Sequence, residues 1–293
     1  MNLKPKGIIP AMVTPFGKDE ELDADGLKKI IHFLLDSGVH GIFVSGGTGE
    51  FYALSKEEKM KIFETAVDEV DGKVPVYAGT GAESTREVLE LTKIAKDAGA
   101  DAAIITTPYY IKPGNHELLE HYVYIASKVD LPILVYTNPR CTGVNFDPEL
   151  LLNLAEKCSN VVGIKDSTGD LTTTLNYIQT CGEKVSIMQG REPLIFATLM
   201  QGGHGSFNTW ANAAPKLAVD IYDAVMKKDY GRAAKAQSEF TSLRIAYGAE
   251  ANAVKEAMNM LGLPAGIARR PLLPLSQEDR KKLRKHLTNL RLL

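Results

Sequence analysis

The sequence predicts an α/β fold, namely a (β/α)8 barrel with a C-terminal helical extension. Eight short apolar runs occur before residue 210, and roughly one helix-period segment separates each run from the next. After Trp210 only helical periods remain. A doubly wound sheet uses the same alternation, but eight evenly spaced strands favour a closed barrel. We therefore expect the barrel, with the active site, in residues 1–212 and a helical bundle in residues 213–293.

Each strand is predicted from a short apolar run that polar or turn-forming residues bound. Such a run is typical of a strand buried on both faces of a parallel sheet. The eight runs lie at residues 7–13, 41–45, 74–78, 102–106, 132–136, 161–164, 185–188 and 205–207. Eight is the number of strands that a barrel of this class needs.

Helix-period segments fill the spaces between these runs. The first has one apolar stripe, formed by Leu27, Ile30, Ile31, Leu34 and Leu35. Gly38 ends that segment. Ser55 and Ser84 each precede a glutamate by three residues, which is a capping-box pattern, and the helices they open are expected to end near Gly72 and Gly99.

Composition and charge exclude several functional classes. Of the 293 residues, 44% are hydrophobic and 24% are charged, which is typical of a globular protein, and the formal charge of -2 gives no basic field for nucleic acid or an anionic membrane. No apolar run approaches the roughly 20 residues of a membrane span. The three cysteines and six histidines show neither metal-ligand nor disulfide-framework spacing. We expect a cytoplasmic protein that binds a small molecule and no metal.

One lysine is a candidate nucleophile. In barrels of this kind the working groups project from the carboxyl ends of the strands. Lys165 is the only lysine that ends one of the apolar runs, and loss of water there favours the uncharged amine that attacks a ketone to form a Schiff base. A structural lysine paired with Asp166 or another carboxylate explains the position equally well.

Two further features would lie beside this lysine in a barrel. Tyr136 ends the preceding strand, so its phenol is a candidate for moving protons, although a core tyrosine is the simpler interpretation without the lysine. Residues 46–50, GGTGE, offer unobstructed backbone N–H groups and one hydroxyl, which suits a carboxylate or phosphate. Residues 79–84 lack the third glycine of a dinucleotide fingerprint, so no nicotinamide cofactor is expected.

The order and spacing of these motifs resemble those of the dihydrodipicolinate synthase and N-acetylneuraminate lyase family. The resemblance rests on GGTGE at 46–50, TPYY at 107–110, the segment from Tyr136 to Gly143, and GIKDS at 163–167. It extends from PAMVTPF at 10–16 to RPL at 270–272. It implies a TIM barrel with a C-terminal helical bundle, usually a homotetramer built as a dimer of dimers. It also implies class I lyase chemistry that needs neither metal nor cofactor.

The resemblance assigns roles to residues at matching positions. Lys165 matches the lysine that forms a Schiff base with pyruvate or another 2-keto acid, and Tyr136 matches the tyrosine that relays protons. Thr48 matches a hydroxyl that holds the keto-acid carboxylate. Tyr110 matches a tyrosine that reaches into the neighbouring subunit's site, so we expect Lys165, Tyr136 and Tyr110 to be catalytic. The residues expected to bind substrate are Gly47, Thr48, Arg140, Gly190, Arg191, Glu192 and Phe207.

The chain departs from the family pattern at positions that affect the substrate. Members that make dihydrodipicolinate usually carry two adjacent threonines where this chain has Gly47 and Thr48, and an arginine at the position of Cys141. Arg140 precedes that position, but adjacent side chains after a strand need not point the same way. After the seventh strand, Glu192 matches an acid that binds sugar hydroxyls in the neuraminate lyase branch.

Arg191 stands where an acid is expected in that branch. A cation facing the pocket suggests a co-substrate with an acidic or polyhydroxy tail. The GGTGEF motif also resembles that of dehydratases that act on keto-deoxy sugar diacids.

Three functions remain open from the sequence. The first is a Schiff-base aldolase or dehydratase that acts on pyruvate, a 2-keto-3-deoxy sugar acid or a related 2-keto acid, with an aldehyde or sugar-acid co-substrate. The second is 4-hydroxy-tetrahydrodipicolinate synthase, which condenses pyruvate with aspartate semialdehyde in lysine biosynthesis. The third is a catalytically silent barrel that keeps the keto-acid pocket. The residues do not specify the second substrate, its stereochemistry or the direction of the reaction.

Overall fold

The computed structural model describes residues 3–293 and confirms the barrel, with eight parallel strands that close into a ring. β1 to β8 comprise Gly7–Pro10, Ile42–Val44, Val76–Gly79, Ala102–Thr106, Ile133–Thr137, Val161–Asp166, Ser186–Gln189 and Gly205–Asn208. The strands pair in sequence order from β2 to β8, and β1 pairs with β8. Hydrogen bonds from His40 N to Ile8 O (2.8 Å) and from Met12 N to Phe43 O (2.7 Å) join β1 to β2 and close the ring.

Helices alternate with the strands and continue after them. Those before β8 are α1 Ala24–Asp36, α2 Lys56–Val70, α3 Thr85–Asp97, α4 Asn115–Lys128, α5 Pro139–Thr142, α6 Pro148–Lys157, α7 Leu171–Cys181 and α8 Ile195–Met200. Those after β8 are α9 Pro215–Met226, α10 Tyr230–Tyr247, α11 Ala251–Met260 and α12 Gln277–Asn289. Ser55 forms the predicted capping box with Glu58 at the start of α2, and Ser84 caps α3 by accepting from Glu87 N.

β6 extends further than the apolar pattern predicts. The run ends at Ile164, but the strand continues through Lys165 and Asp166. Register partners on both sides, Tyr136 on β5 and Met188 on β7, tie Lys165 into the sheet. A strand position restricts where a side chain points more tightly than a loop position does. Lys165 is therefore placed by the sheet itself.

The inside of the barrel is filled by apolar side chains. The buried cluster there consists of Ile9, Ala11, Phe43, Tyr77, Ala102, Ile104, Leu134, Met188 and Phe207. The Phe207 ring meets Phe43 and Tyr77 edge to face, with centroids 5.6 and 5.2 Å apart. This geometry adds attraction to the gain from burying the rings. This packed apolar interior lies directly beneath the residues at the strand ends.

The helices after β8 contact the carboxyl ends of the strands. Trp210 Nε1 donates to Gly248 O at 2.7 Å, and Gln237 Nε2 donates to Glu192 O at 2.8 Å. These bonds hold α10 and the turn after it beside the loops that follow β7 and β8. Among residues 3–293, no helix is long and apolar enough to cross a membrane.

Candidate active site

A cavity of about 430 Å³ opens at the carboxyl ends of the strands. Of the residues predicted to form the site, those that line it are Gly47, Thr48, Tyr136, Arg140, Lys165, Gly190, Arg191 and Phe207. These residues come from the ends of β5, β6 and β8, from the segments that follow β5 and β7, and from the loop after β2. The barrel thus brings together side chains that lie up to about 160 residues apart in sequence.

Lys165 is buried among aromatic side chains. The residue is 4% exposed, and its Nζ lies 4.1 Å from the ring centroid of Tyr136 and 4.9 Å from that of Phe43. Within the described chain Lys165 makes no ion pair with a carboxylate, because Asp166 is occupied elsewhere. Asp166 accepts from Thr168 N at 2.9 Å and from Thr174 Oγ1 at 2.6 Å. The structure therefore does not support the alternative of a lysine paired with Asp166.

Tyr136 sits directly opposite Lys165 in the sheet. The two residues are register partners on β5 and β6, so their side chains leave the same face of the barrel. Tyr136 Oη accepts a hydrogen bond from Asn138 Nδ2 at 3.2 Å. That bond leaves the phenol hydrogen free to be donated toward the cavity. The pair places a proton donor and acceptor next to an amine.

The loop after β2 presents hydrogen-bond donors to the cavity. Gly47 is exposed there, and Thr48 Oγ1 lies 2.9 Å from Thr209 Oγ1. Within residues 3–293 the N–H groups of Gly47 and Thr48 have no acceptor, whereas the following turn is closed by a bond from Glu50 N to Gly47 O at 3.1 Å. Unpaired N–H groups in such a turn suit an anion.

A buried ion pair anchors this loop from behind. Glu50 is 0% exposed and adopts a left-handed conformation with φ of 57°. Its Oε1 lies 2.5 Å from Lys255 Nζ on α11, and its Oε2 accepts from Arg269 N at 2.8 Å. Burial lowers the pKa of Lys255 to about 8, although the charge of Glu50 acts in the opposite direction. The helical extension is thus bonded to the loop that carries Thr48.

The turn after β7 directs Arg191 along the loop after β6. Gln189 Oε1 accepts from the N–H groups of Gly190 (2.9 Å) and Arg191 (3.0 Å). A side chain at Gly190 would overlap Ser167 Oγ, so this close approach requires glycine. Arg191 Nε donates to Ser167 O at 3.0 Å. Burial and the nearby charge of Arg244 lower the pKa of Arg191.

Glu192 lies behind the cavity wall. Its side chain is 0% exposed, and Oε1 accepts from Thr209 N (2.8 Å) and Trp210 N (3.3 Å). Oε2 lies 3.4 Å from a guanidinium nitrogen of Arg244. Glu192 is not among the residues that line the cavity, so it has no direct route to the hydroxyls of a bound sugar acid. As placed, it holds protein groups in position.

Arg140 and Tyr110 occupy more open positions. Arg140 is exposed on the short helix α5 and lines the cavity together with Cys141. Tyr110 is 97% exposed, has a positive φ of 73° and lies outside the cavity of its own chain. That exposure is compatible with a reach into a neighbouring subunit, which remains a prediction.

Several residues at the cavity were not singled out from the sequence. Thr209 and Asn138 follow predicted strands, but nothing in the sequence pairs them with Thr48 and Tyr136. Arg244 lines the cavity from α10, and the rule that searches strand ends cannot find a residue on a later helix. Phe43 belongs to the predicted strand at 41–45, and its contact with Lys165 follows only from the closed barrel. No group of three or more His, Cys, Asp or Glu in the described chain is placed to hold a metal ion.

Comparison with known proteins agrees with the fold. The model of the dihydrodipicolinate synthetase family matches residues 4–290. A 4-hydroxy-tetrahydrodipicolinate synthase of Methanopyrus kandleri is 38% identical over 100% of this chain and 99% of its own length. A protein of the same name from Methanoculleus marisnigri is 41% identical over 97% of this chain and 99% of its own.

Solved structures show the same relationship. Dihydrodipicolinate synthase from Aquifex aeolicus aligns with a TM-score of 0.94 and 34% identity, covering 98% of this chain and 99% of that one. YagE, a prophage protein of the dihydrodipicolinic acid synthase family from E. coli K12 in complex with pyruvate, aligns with a TM-score of 0.95 and 33% identity over the same shares. The match covers the barrel and the helices after it. On these grounds the chain belongs to the dihydrodipicolinate synthetase family.

Proposed function

We propose that this protein is a class I lyase that binds pyruvate or a related 2-keto acid as a Schiff base on Lys165 and makes or breaks a bond to a second substrate. One observation carries the proposal. The Lys165 amine is 4% exposed, has aromatic neighbours instead of a carboxylate, and stands in register with the Tyr136 phenol. A lysine in a structural ion pair would instead have a carboxylate beside its amine.

Binding of the keto acid begins at the loop after β2. The N–H groups of Gly47 and Thr48 and the Thr48 hydroxyl are the donors for the substrate carboxylate. A carboxylate held there directs the neighbouring keto carbon toward Lys165, which lines the same cavity. This fixed orientation replaces a random encounter and lowers the entropic part of the barrier.

Imine formation then proceeds at the keto carbon. The uncharged Nζ of Lys165 attacks this carbon, the keto oxygen takes up two protons and leaves as water, and a carbon–nitrogen double bond forms. The rings of Phe43 and Tyr136 exclude water from the imine. The protonated imine makes the adjacent methyl or methylene group acidic, so that loss of a proton gives an enamine.

The enamine can follow two courses. It can add through its carbon to the carbonyl carbon of an aldehyde, which forms a carbon–carbon bond, and the reverse of this step is aldol cleavage. When the bound acid carries a hydroxyl two carbons from the imine, the enamine can instead expel it as water. In both courses Tyr136 Oη gives a proton to the reacting oxygen, which becomes the product hydroxyl or departs as water. Tyr136 regains a proton from the water that later hydrolyses the imine and releases the product.

The second candidate is 4-hydroxy-tetrahydrodipicolinate synthase. The observation in its favour is that relatives 36–41% identical over nearly the whole chain carry this name. Gly47 and Cys141 stand where synthases usually have a threonine and an arginine, and both line the cavity. The broader lyase proposal therefore stands first, because it does not depend on those two side chains.

The test is a substrate panel assayed for pyruvate. The purified protein is mixed with pyruvate plus aspartate semialdehyde, with pyruvate plus simple aldehydes, and with 2-keto-3-deoxy sugar acids, and pyruvate loss or release and product mass are followed. Lys165→Arg is the matched control, since it keeps a cation at the position. We expect turnover of at least one member of the panel that Lys165→Arg abolishes. Imine formation without turnover of any substrate would favour a silent keto-acid-binding barrel.

We also propose that copies of the chain associate so that Tyr110 completes a neighbouring site. Its support is the 97% exposure of a large aromatic side chain and the positive φ that presents it. Sedimentation of the wild type and of Tyr110→Ala at several concentrations tests this assembly. A wild type that remains monomeric while fully active would contradict it.

A further inference from the structure

Two arginines lie on one wall of the cavity, and one of them has no carboxylate partner within the described residues. Arg191 extends from the turn after β7 and Arg244 from α10, and both line the cavity. They are partly buried, and the Arg244 side chain is 14% exposed. Like charges that share a poorly hydrated space repel each other, and the charge of Arg244 adds to the effect of burial in lowering the pKa of Arg191.

The two guanidinium groups differ in the groups of the chain that they contact. Arg244 has an ion pair with Glu192 at 3.4 Å. Arg191 uses only its Nε, which donates to Ser167 O, and within the described residues its two terminal nitrogens have no acceptor. These nitrogens supply donors in the planar, forked arrangement that matches a carboxylate or a phosphate.

The charged residues around the cavity carry a net positive charge that one more anion would balance. Besides these two arginines, Arg140 and Lys165 line it, and Glu250 is the only carboxylate that does so within residues 3–293. The carboxylate of the keto acid offsets the charge of the protonated imine on Lys165. Even with Glu192 counted from behind the wall, the arginines outnumber the carboxylates. A second acidic group on the substrate would correct this imbalance.

We propose that Arg191 and Arg244 bind an acidic group, a carboxylate or phosphate, at the end of the co-substrate that lies away from the reacting carbonyl. This proposal rests on the proposed Schiff-base function and adds the class of co-substrate to it. The keto-acid carboxylate is held at the loop after β2, and the distal acid is held at the wall formed by β7 and α10. The complete substrate therefore carries an acidic group at both ends.

Arg140 is the competing candidate for this contact. It also lines the cavity, but its side chain is exposed and makes no hydrogen bond within the described chain. An exposed arginine must lose its water and its rotamer freedom to bind an anion. Arg191 has already lost part of its hydration and part of its rotamer freedom, because its Nε donates to Ser167 O. The structure therefore favours the Arg191 and Arg244 pair.

The first experiment measures binding without needing turnover. The protein is incubated with 2-oxoglutarate or 2-oxoadipate, which carry a distal carboxylate, or with 2-oxopentanoate or 2-oxohexanoate, which have a methyl group instead. Borohydride traps the imine, and intact-protein mass gives its yield at each concentration. We expect half-maximal trapping at roughly tenfold lower concentration for the diacid of the better-fitting length, as for one charge-assisted contact.

The second experiment separates a carboxylate from a phosphate as the distal group. Enzyme loaded with pyruvate receives glyceraldehyde 3-phosphate or glyceraldehyde, and succinic semialdehyde or butyraldehyde, and pyruvate consumption is measured. A preference within the first pair indicates a phosphate, and a preference within the second pair indicates a carboxylate. Either preference supports the distal site.

Variants at the two arginines show which residue is responsible for the preference for a distal acidic group. Arg191→Gln is expected to remove most of the roughly tenfold preference while pyruvate trapping continues. Arg244→Lys keeps the charge beside Glu192 and is expected to keep part of the preference. Arg284→Gln, at an exposed site on α12 that does not line the cavity, is the control for loss of one positive charge.

The outcomes distinguish this inference from the proposed function. Failure to trap pyruvate itself would overturn the Schiff-base proposal. Normal pyruvate trapping with equal yields for diacids and their methyl analogues, at both lengths, would overturn the distal acid site alone. A preference that survives Arg191→Gln but disappears in Arg140→Gln would also overturn it, because the contact would then belong to Arg140.

Discussion

Tyr136 and Lys165 are register partners on neighbouring parallel strands, and the Lys165 amine lies 4.1 Å from the centre of the Tyr136 ring. The sheet sets this distance, because both residues belong to strands rather than loops. The arrangement separates two tasks, since the lysine can form the imine while the phenol moves protons. Substitution of one should therefore leave the task of the other intact.

Tyr136→Phe should slow turnover without preventing imine formation. Removal of a positioned proton donor typically costs about 100-fold to 10,000-fold in rate. The expected result is a fall of that size in kcat, with borohydride trapping of pyruvate unchanged at equilibrium. Tyr124→Phe, at an exposed tyrosine on α4, controls for loss of a phenol. Loss of pyruvate trapping in Tyr136→Phe would contradict this division of tasks.

Gly47→Thr should increase condensation of pyruvate with aspartate semialdehyde. A Cβ added at Gly47 meets no atom within 4 Å, so the position has space for a larger side chain, and the threonine restores the hydroxyl that synthases usually carry there. Gly47→Val has the same shape without the hydroxyl and is the matched control. We expect a gain of roughly tenfold or more in kcat for Gly47→Thr only. Equal rates for the two variants would show that the hydroxyl is not what limits this reaction.

The buried pair Glu50 and Lys255 should contribute strongly to stability only as a pair. Their side chains are 0% and 1% exposed and 205 residues apart in sequence. Lys255→Met leaves the Glu50 carboxylate buried without its ammonium partner, which typically costs about 3–5 kcal/mol of unfolding free energy. The double variant Glu50→Gln/Lys255→Met should lose less than the two single losses combined.

Denaturant unfolding measures each free energy in this cycle. The exposed pair Lys56 and Glu90, at 2.7 Å, is the control and should show no measurable coupling. Because Glu50 anchors the loop of Thr48, the single variants should also bind pyruvate more weakly. Additive losses at Glu50 and Lys255 would contradict the account of the pair.

His121 should make the protein sensitive to acid below pH 6.5. Burial lowers the pKa of His121 to about 4, and its Nδ1 lies 2.8 Å from Thr85 Oγ1. The unfolded chain binds a proton near pH 6.5 and the folded protein does not, so stability is full above pH 6.5 and falls as the pH drops toward 4. The loss attributable to this group is about 3 kcal/mol across that window.

The measurement is the unfolding free energy at pH 7, 6, 5 and 4. His121→Gln should remove most of this acid-linked loss, and His116→Gln, at an exposed site on α4, should leave it unchanged. Parallel pH profiles for His121→Gln and the wild type would show that another group is responsible.

The fold could be predicted largely because its strands are short and apolar. All eight predicted runs overlap the observed strands, since a strand covered on both faces must be apolar along its length. The largest difference is at β1, where the predicted run 7–13 extends three residues beyond the strand, which ends at Pro10. The strand β6 differs in the other direction, because pairing with both neighbours overrides the polarity of Lys165 and Asp166. The division of the chain at residue 212 stays a prediction.

The site could be predicted only in part. Lys165 and Tyr136 lie near the carboxyl ends of β6 and β5, Thr48 lies in the loop after β2, and the barrel brings them to one cavity. Arg244 and the pairing of Glu50 with Lys255 depend on how α10 and α11 pack over the barrel, and no local pattern encodes such a contact.

Burial of Glu192 depends in the same way on tertiary packing. Its carboxylate accepts from the N–H groups of Thr209 and Trp210, and this placement does not provide the substrate contact that the family resemblance implies.

The most direct test of the account is reduction of the protein with borohydride in the presence of pyruvate, followed by peptide mass mapping. We expect one added pyruvate-derived group per chain, located on Lys165, and none in Lys165→Arg. An unmodified Lys165 under conditions in which the enzyme turns over, or the group on another lysine, would contradict it.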